Sequence, residues 1–437
     1  MSGKTEAKEW SAAALEALAP EARQDLYAEA IRSGADARVL QELDLSALLL
    51  AMASEGLHAP PGSTPAQLRA LLLHHRCKQT GLAWVRGILD VTPDGFGFLR
   101  SPTSDFAPSA DDVYVTGNQL HHLGLRTGLS IEGPARPPRA TEQFASLLRI
   151  ESVAGRPFAD HRTRIPFELR TPVLPTTPLR LAPAENDVQL RTIAALSPWA
   201  HGQRVLLEFD DDRIDRLDLL RRIALAVLAG DDQVVVRACL LDAAPEERAT
   251  LANALPRGSV AAATFDEPPS RQIDVAELSL AAAVREAEAS SRVVFLFDSL
   301  SALARAGRLD RPRSGRLVTA DVQSHALVRK KRVFAAARNL EGGGSLTLIA
   351  TLREGGHRTL DDDTAALFAQ KANALCTFAA GAMDDLPDPK RTRTRGLDLV
   401  VADADRRRGE ALRAALLAAA PHDRRELARA ALATAPR

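Results

Sequence analysis

Between residues 7 and 76 apolar positions recur at three- and four-residue intervals, as in DLSALLLAMASEGL, and this spacing predicts helices. STPAQLRALLLHHR adds a start signal: Thr64 as the cap, Pro65 at the first helical position and Gln67 in the first turn. From Gly81 to Val153 the period shortens to alternating runs between turn residues: VRGILDVTPDGFGFLRS, DDVYVTG, LRTGLSIEG and FASLLRIESVAG. These runs predict five short strands and a small closed barrel of the OB type. RTPVLPTTPLRLAPAEND, rich in proline, reads as a linker. Beyond it RVLLEF, DQVVVRACLLD, SRVVFLFDS and GSLTLIAT alternate with helical patterns, which predicts a doubly wound, mainly parallel α/β domain. Two Ala/Arg-rich helical segments, around 408–420 and 423–433, close the chain. The expected organisation is a helical module at 1–80, the barrel at 81–155, a linker at 156–187 and the α/β domain with its C-terminal helices at 188–437.

Composition sharpens this picture in two places. The chain of 437 residues is 46% hydrophobic, with 56 basic and 56 acidic residues, so no global field draws it to nucleic acid and any such site must be local. Cys77, Cys239 and Cys376 are far apart and match no metal spacing, which predicts reduced thiols, no metal and a cytoplasmic location. No apolar run approaches a membrane span of about 20 residues, and the start MSGKTEAKEW has no signal core, so no membrane partner is expected.

Candidate chemistry gathers first on the barrel. In DGFGFLRS, Phe96 and Phe98 stand two apart and share a strand face with Arg100, while Tyr114 lies on another strand. Rings beside a cation suit single-stranded nucleic acid, because each base offers a flat face and each phosphate a negative charge. Gly95 and Gly97 beside Phe96 favour close approach of another backbone or of a ligand.

GILDVTPDGFGFLRS, DDVYVTGNQL, LRTG and ARPPRATEQFASLLRI resemble the cold-shock-type RNA-binding domain of the bacterial transcription termination factor Rho family. The resemblance continues through RIPFELRTPVLPTTPLRL, LSPWAHGQR, ATFDEPPSRQIDVAEL, FLFDSLSALARA and RVFAAARNLEGGGSLTLIAT, from about residue 45 to 400. It implies a multidomain chain: helical module, OB/cold-shock barrel and RecA-like α/β domain. It also implies a primary RNA site at Phe96, Phe98, Arg100, Asp112, Tyr114, Arg139 and Glu142, with Phe144 where the family often has tyrosine. The family's preference for cytidine makes Asp112 or Glu142 the expected acceptor for a cytosine amino group.

The nucleotide site is another matter. In QRVLLEFDDDRIDRLDLLRRIALAVL a strand leads through a turn into a helix, as at a phosphate loop, but the turn has no glycine and holds Asp210, Asp211, Asp212 and Asp215. An ungapped reading from the family's Gly-Gln-Arg strand places Ile214, Asp215 and Arg216 where the family has Gly-Lys-Thr. The backbone cradle, the lysine on the phosphates and the hydroxyl on magnesium are thereby lost, and Arg213 and Arg216 are expected to pair with the aspartates. Asp298 keeps the Walker B carboxylate, but Ala243 stands at the water-activating glutamate, Ala244 at the next arginine and Ala302 at another, although Arg305 persists. Leu386 takes the adenine-stacking position and Arg395 is the candidate arginine finger. In the channel loop RSGRLVTADVQSHAL, Arg316 matches the family's RNA-gripping lysine, and Ala320 and Asp321 replace a glycine pair.

These substitutions imply a Rho-like RNA-binding pseudo-ATPase that regulates termination as an antagonist or modulator of an active Rho, with no ATP or magnesium bound. The expected partners are single-stranded pyrimidine-rich RNA and Rho subunits or further copies of this chain in a ring or open hexamer. Two alternatives stand beside it: an ATP-dependent RNA translocase that terminates transcription, which would need ATP and magnesium, and a structural subunit of a mixed ring.

Overall fold

The computed structural model describes residues 9–210, 213–310, 331–353, 367–379 and 385–433. The chain divides into two compact units, Met1–Arg164 and Ile165–Arg437.

The first unit opens with helices α1 (Ala12–Glu16), α2 (Pro20–Arg32), α3 (Ala37–Gln41), α4 (Leu45–Ser54) and α5 (Pro65–Arg76). Thr64 and Gln67 close a capping box at the start of α5, so two of the helix's orphan N-terminal groups are satisfied by the residues that the sequence pattern singles out. Leu40, Leu48, Met52, Leu68 and Leu72 form the core beneath α3–α5.

Strands β1 (Ala83–Val91), β2 (Gly97–Arg100), β3 (Val113–Val115), β4 (Ser130–Arg136) and β5 (Ala145–Leu147) follow, with helix α6 (Gly117–Leu123) between β3 and β4. They run β1-β2-β3-β5-β4, and pairing of β1 with β4 closes the barrel. Alternation sends Val85, Leu89, Leu99, Val113 and Ile131 into its core. Phe98 and Tyr114 alternate with these core positions, and Phe98 lies directly opposite Tyr114 in the register. Two short strands, β6 (Ser152–Val153) and β7 (Arg156–Pro157), and helix α7 (Phe158–Arg162) complete the unit, with β6 paired to β4.

The second unit carries a mainly parallel sheet. Its strands are β8 (Pro172–Val173), β9 (Arg204–Phe209), β10 (Val234–Ala243), β11 (Val260–Thr264), β12 (Arg292–Asp298), β13 (Arg338–Leu340), β14 (Ser345–Arg353), β15 (Ala374–Phe378) and β16 (Arg393–Thr394); the parallel part runs β11-β10-β12-β14-β9-β15, and β16 pairs antiparallel with β15. Helix α8 (Val188–Leu196) precedes β9, and α9 (Arg216–Gly230), α10 (Pro245–Ala254), α11 (Pro269–Glu288) and α12 (Leu300–Leu309) follow between the later strands. The central strands read as continuous apolar runs because both faces are covered: Val205, Leu207, Val236, Leu240, Val294, Leu296 and Ile349 share one core. This is the RecA-like architecture.

The proline-rich stretch departs from the expectation of a linker. Strand β8 pairs with β13, which in turn pairs with β14. The Phe167 N–H donates to buried Glu288 at 2.7 Å and Leu179 N–H to Trp199 O at 2.8 Å. Prolines fix an extended path and suit a sheet edge, where few N–H donors are needed. The C-terminal helices Asp403–Ala418 and Arg424–Ala433 cover α8, with Val188, Leu196, Leu386, Leu412 and Leu416 between them.

Candidate nucleic-acid interface and candidate nucleotide site

Four rings meet on the outer face of β2, β3 and β5. Phe96 sits 5.7 Å from Phe98 and 5.6 Å from Tyr114, and Phe98 sits 5.0 Å from Phe144, measured between centroids. All four are half-buried, so part of each side chain stays in solvent. Such a cluster is a stacking platform for unpaired bases. The glycines serve the barrel more than a ligand: Gly95 turns the chain at φ +84°, and a Cβ on Gly97 would lie 2.8 Å from Leu89 of β1.

Arg100 lies on the ring face as the alternation predicts, but it is buried there, and Asp112 faces it rather than solvent. The Arg100 guanidinium lies 4.9 Å over the Phe98 ring, is itself buried, and pairs with Asp112 and with Asp90 at 3.2 Å. Asp112 is 2% exposed and also accepts from Ser109 N–H at 2.9 Å. Burial pushes its carboxyl up, opposed by Ser109 and Arg100. Asp112 is therefore a positioning residue that holds Arg100 against the rings, and a cytosine amino group has no path to it. Asp112→Ala should leave a buried guanidinium with Asp90 alone and cost about 3 kcal/mol, the usual scale for breaking one side of a buried pair. Urea unfolding of the variant checks this.

Glu142 is the exposed carboxylate of the two. Arg136 grips both of its oxygens and Arg139 N–H donates to one at 3.0 Å; the Arg136 contact, first, and the Arg139 donor hold its carboxyl down to about 2. It is thus an anion throughout the neutral range, with one acceptor site left on Oε1. The Arg139 side chain is exposed beside it.

In the second unit the C-terminal ends of β9 and β12 flank β14, the place where a RecA-like sheet holds nucleotide. Asp215 is the N-cap of α9 and accepts from Asp218 N–H at 2.9 Å. Ile214 packs against the core beneath. Arg216 lies 3.5 Å from Asp298, which is 2% exposed and accepts from the Thr351 hydroxyl. Arg391 bridges Asp210 at 3.0 Å and buried Glu208 at 3.3 Å, and Arg213 donates to Ala379 O at 3.0 Å. Ala243 ends β10 and is buried, Ala244 caps α10, and Arg305 pairs with Asp242. Leu386 is buried under the C-terminal helices.

Arg395 exposes its side chain while its N–H bonds Asn373 O at 2.7 Å. Asp211, Asp212, Arg316, Ala320 and Asp321 lie outside the described residues. The sequence reading missed Arg136, Glu208, Thr351 and Arg391; a glutamate inside the apolar strand RVLLEF was the one signal of a buried carboxylate seeking a cation. Among the described residues no group of His, Cys, Asp and Glu is arranged to hold a metal, the three cysteines are buried and unbridged, and no helix is long and apolar enough to cross a membrane.

Residues 85–158 match the family described as "Rho termination factor, RNA-binding domain". The chain is 38% identical over 299 residues to the transcription termination factor Rho of Aquifex aeolicus, covering 68% of each. It is 39% identical over 283 residues to that of Chromobacterium violaceum, covering 64% of this chain and 67% of the relative. With that of Neisseria gonorrhoeae it shares 38% identity over 331 residues, 74% of this chain and 77% of the relative.

Proposed function

The chain belongs to the transcription termination factor Rho family, and from that premise we propose that it is an RNA-binding pseudo-ATPase that lowers termination by an active Rho. One observation carries the reading: Asp215 caps α9 with its own carboxylate. A phosphate loop presents free N–H groups and a positive helix end to the anion. Here a side-chain anion occupies that end, where the family's lysine would stand. Arg216 on Asp298 and the methyl groups of Ala243 and Ala244 support the same conclusion.

The RNA face has not decayed in parallel. Its four rings stay clustered and Glu142 stays ionised and accessible. The proposed ligand is single-stranded, pyrimidine-rich RNA: the rings stack on the bases, and Glu142 accepts from an exocyclic amino group. A subunit that binds RNA but no nucleotide lowers termination by either of two routes. It joins the ring of an active Rho and stalls it, or it covers the RNA that the active enzyme loads on.

The test is a purified termination reaction with an active Rho, titrated with this protein. Termination should fall. Ring poisoning acts near one subunit per ring, whereas competition needs excess protein and is relieved by added RNA. Unchanged or increased termination at every ratio overturns the antagonist reading.

A further inference from the structure

A phosphate-loop site holds magnesium between the hydroxyl of its loop Ser or Thr and the Walker B aspartate. The residues present do not fit that ion. At the hydroxyl position stands Arg216, a permanent cation, and its Nε lies 3.5 Å from the Oδ1 of Asp298. The same oxygen accepts from the Thr351 hydroxyl on β14, so this carboxylate oxygen already faces one protein donor and one protein cation. Asp298 is 2% exposed, and a carboxylate buried that deeply requires a partner.

We infer that Arg216 is the resident counter-ion of Asp298 in place of a divalent cation, and that the folded site is therefore independent of magnesium. The inference rests on the reading that this site no longer takes nucleotide, and it explains why Asp298 persists after that loss. With no positive partner the Walker B carboxylate would be a buried uncompensated charge; with Arg216 it becomes a structural residue. A second ion-pair cluster lies at the end of β9. Arg391 brings a cation to Glu208 and Asp210 at the end of β9, and the Thr377 hydroxyl donates to Glu208 at 3.0 Å. The end of β9 is thus held to a neighbouring segment by charges that belong to the chain.

The experiment is a thermal-unfolding cycle on the full chain without nucleotide: wild type, Arg216→Ala, Asp298→Asn and the double variant, with Arg216→Lys as the charge-conserving control. Arg216→Ala should lower the melting temperature of the α/β unit by about 3 °C or more, because it leaves a buried carboxylate without its half-exposed cation. Adding Asp298→Asn should restore most of that loss, because the charge that needed Arg216 is gone, and Arg216→Lys should retain much of the wild-type value. Millimolar magnesium should leave the wild-type melting temperature unchanged. A loss from Arg216→Ala that is equal with and without Asp298→Asn, or a magnesium-dependent rise that Asp298→Asn removes, overturns the inference. A separate titration with ATP tests the parent reading: saturable binding by the wild type refutes that reading, while the cycle still reports whether Arg216 and Asp298 are coupled.

Discussion

Purified protein incubated with MgATP and poly(C) should release no phosphate above the background of the same mixture without it. Two independent losses set the size of the effect. At the lysine position Asp215 turns an attraction into a repulsion, each about 4 kcal/mol at 4 Å with an effective dielectric near 20. Asp215 is exposed, so solvent screening reduces that swing. Even a residual of about 3 kcal/mol weakens binding by more than a hundredfold. On the proposed reading the chemical step also lacks its proton acceptor, since Ala243 offers one methyl group where a general base contributes about 10²–10⁴ in rate. The effects multiply because one acts on occupancy and the other on turnover. Phosphate release that depends on poly(C) and disappears in Asp298→Ala would refute the reading and promote the ATP-driven translocase in its place.

The elements that bear on this result were legible in the sequence to unequal degrees. RVLLEF, SRVVFLFDS and GSLTLIAT are largely apolar, and each is a strand buried in the sheet: β9, β12 and β14. Strands β11 and β15 were not legible, because VAAAT and ALCTF are short and carry alanine, whose intrinsic preference is helical; the neighbouring strands override it. Helix α6 was missed although Thr116 and Gln119 form a capping box, the signal that did mark α5. The proline-rich segment misled because proline marks irregular chain but cannot report that β13 lies beside it.

At the sites, local patterns located the rings, while charge partners remained hidden. Phe96, Phe98 and Tyr114 follow from alternation within strands. The role of Asp112 depends on Arg100 reaching it across the β2–β3 pairing, and Glu208 meets Arg391 across a separation of 183 residues. A residue's type shows which charge it brings, but only the fold shows which opposite charge lies within reach.

The double variant Phe96→Ala, Phe98→Ala should lose most of the affinity for oligo(C) that the wild type shows. Stacking contributes roughly 1–3 kcal/mol per base, so removing both rings should cost on the order of 2–4 kcal/mol, or about 30- to 1,000-fold. The barrel should survive the change, because its core is built from Val85, Leu89, Leu99, Val113 and Ile131, whereas these rings are only half-buried. Phe96→Leu, Phe98→Leu supplies the control: it keeps apolar cover over Arg100 while removing the flat faces, so a matching loss assigns the effect to stacking. A single barrel binds weakly, since micromolar affinity requires about 8 kcal/mol, and the loss should be steeper on long RNA if several linked barrels engage one strand. Length dependence in the wild type that is absent from the double variant would therefore report oligomeric binding as well as the site. Affinity unchanged in both variants would mean that the rings only complete the barrel surface and that RNA binds elsewhere, which would remove the competition route to antagonism and leave ring poisoning alone.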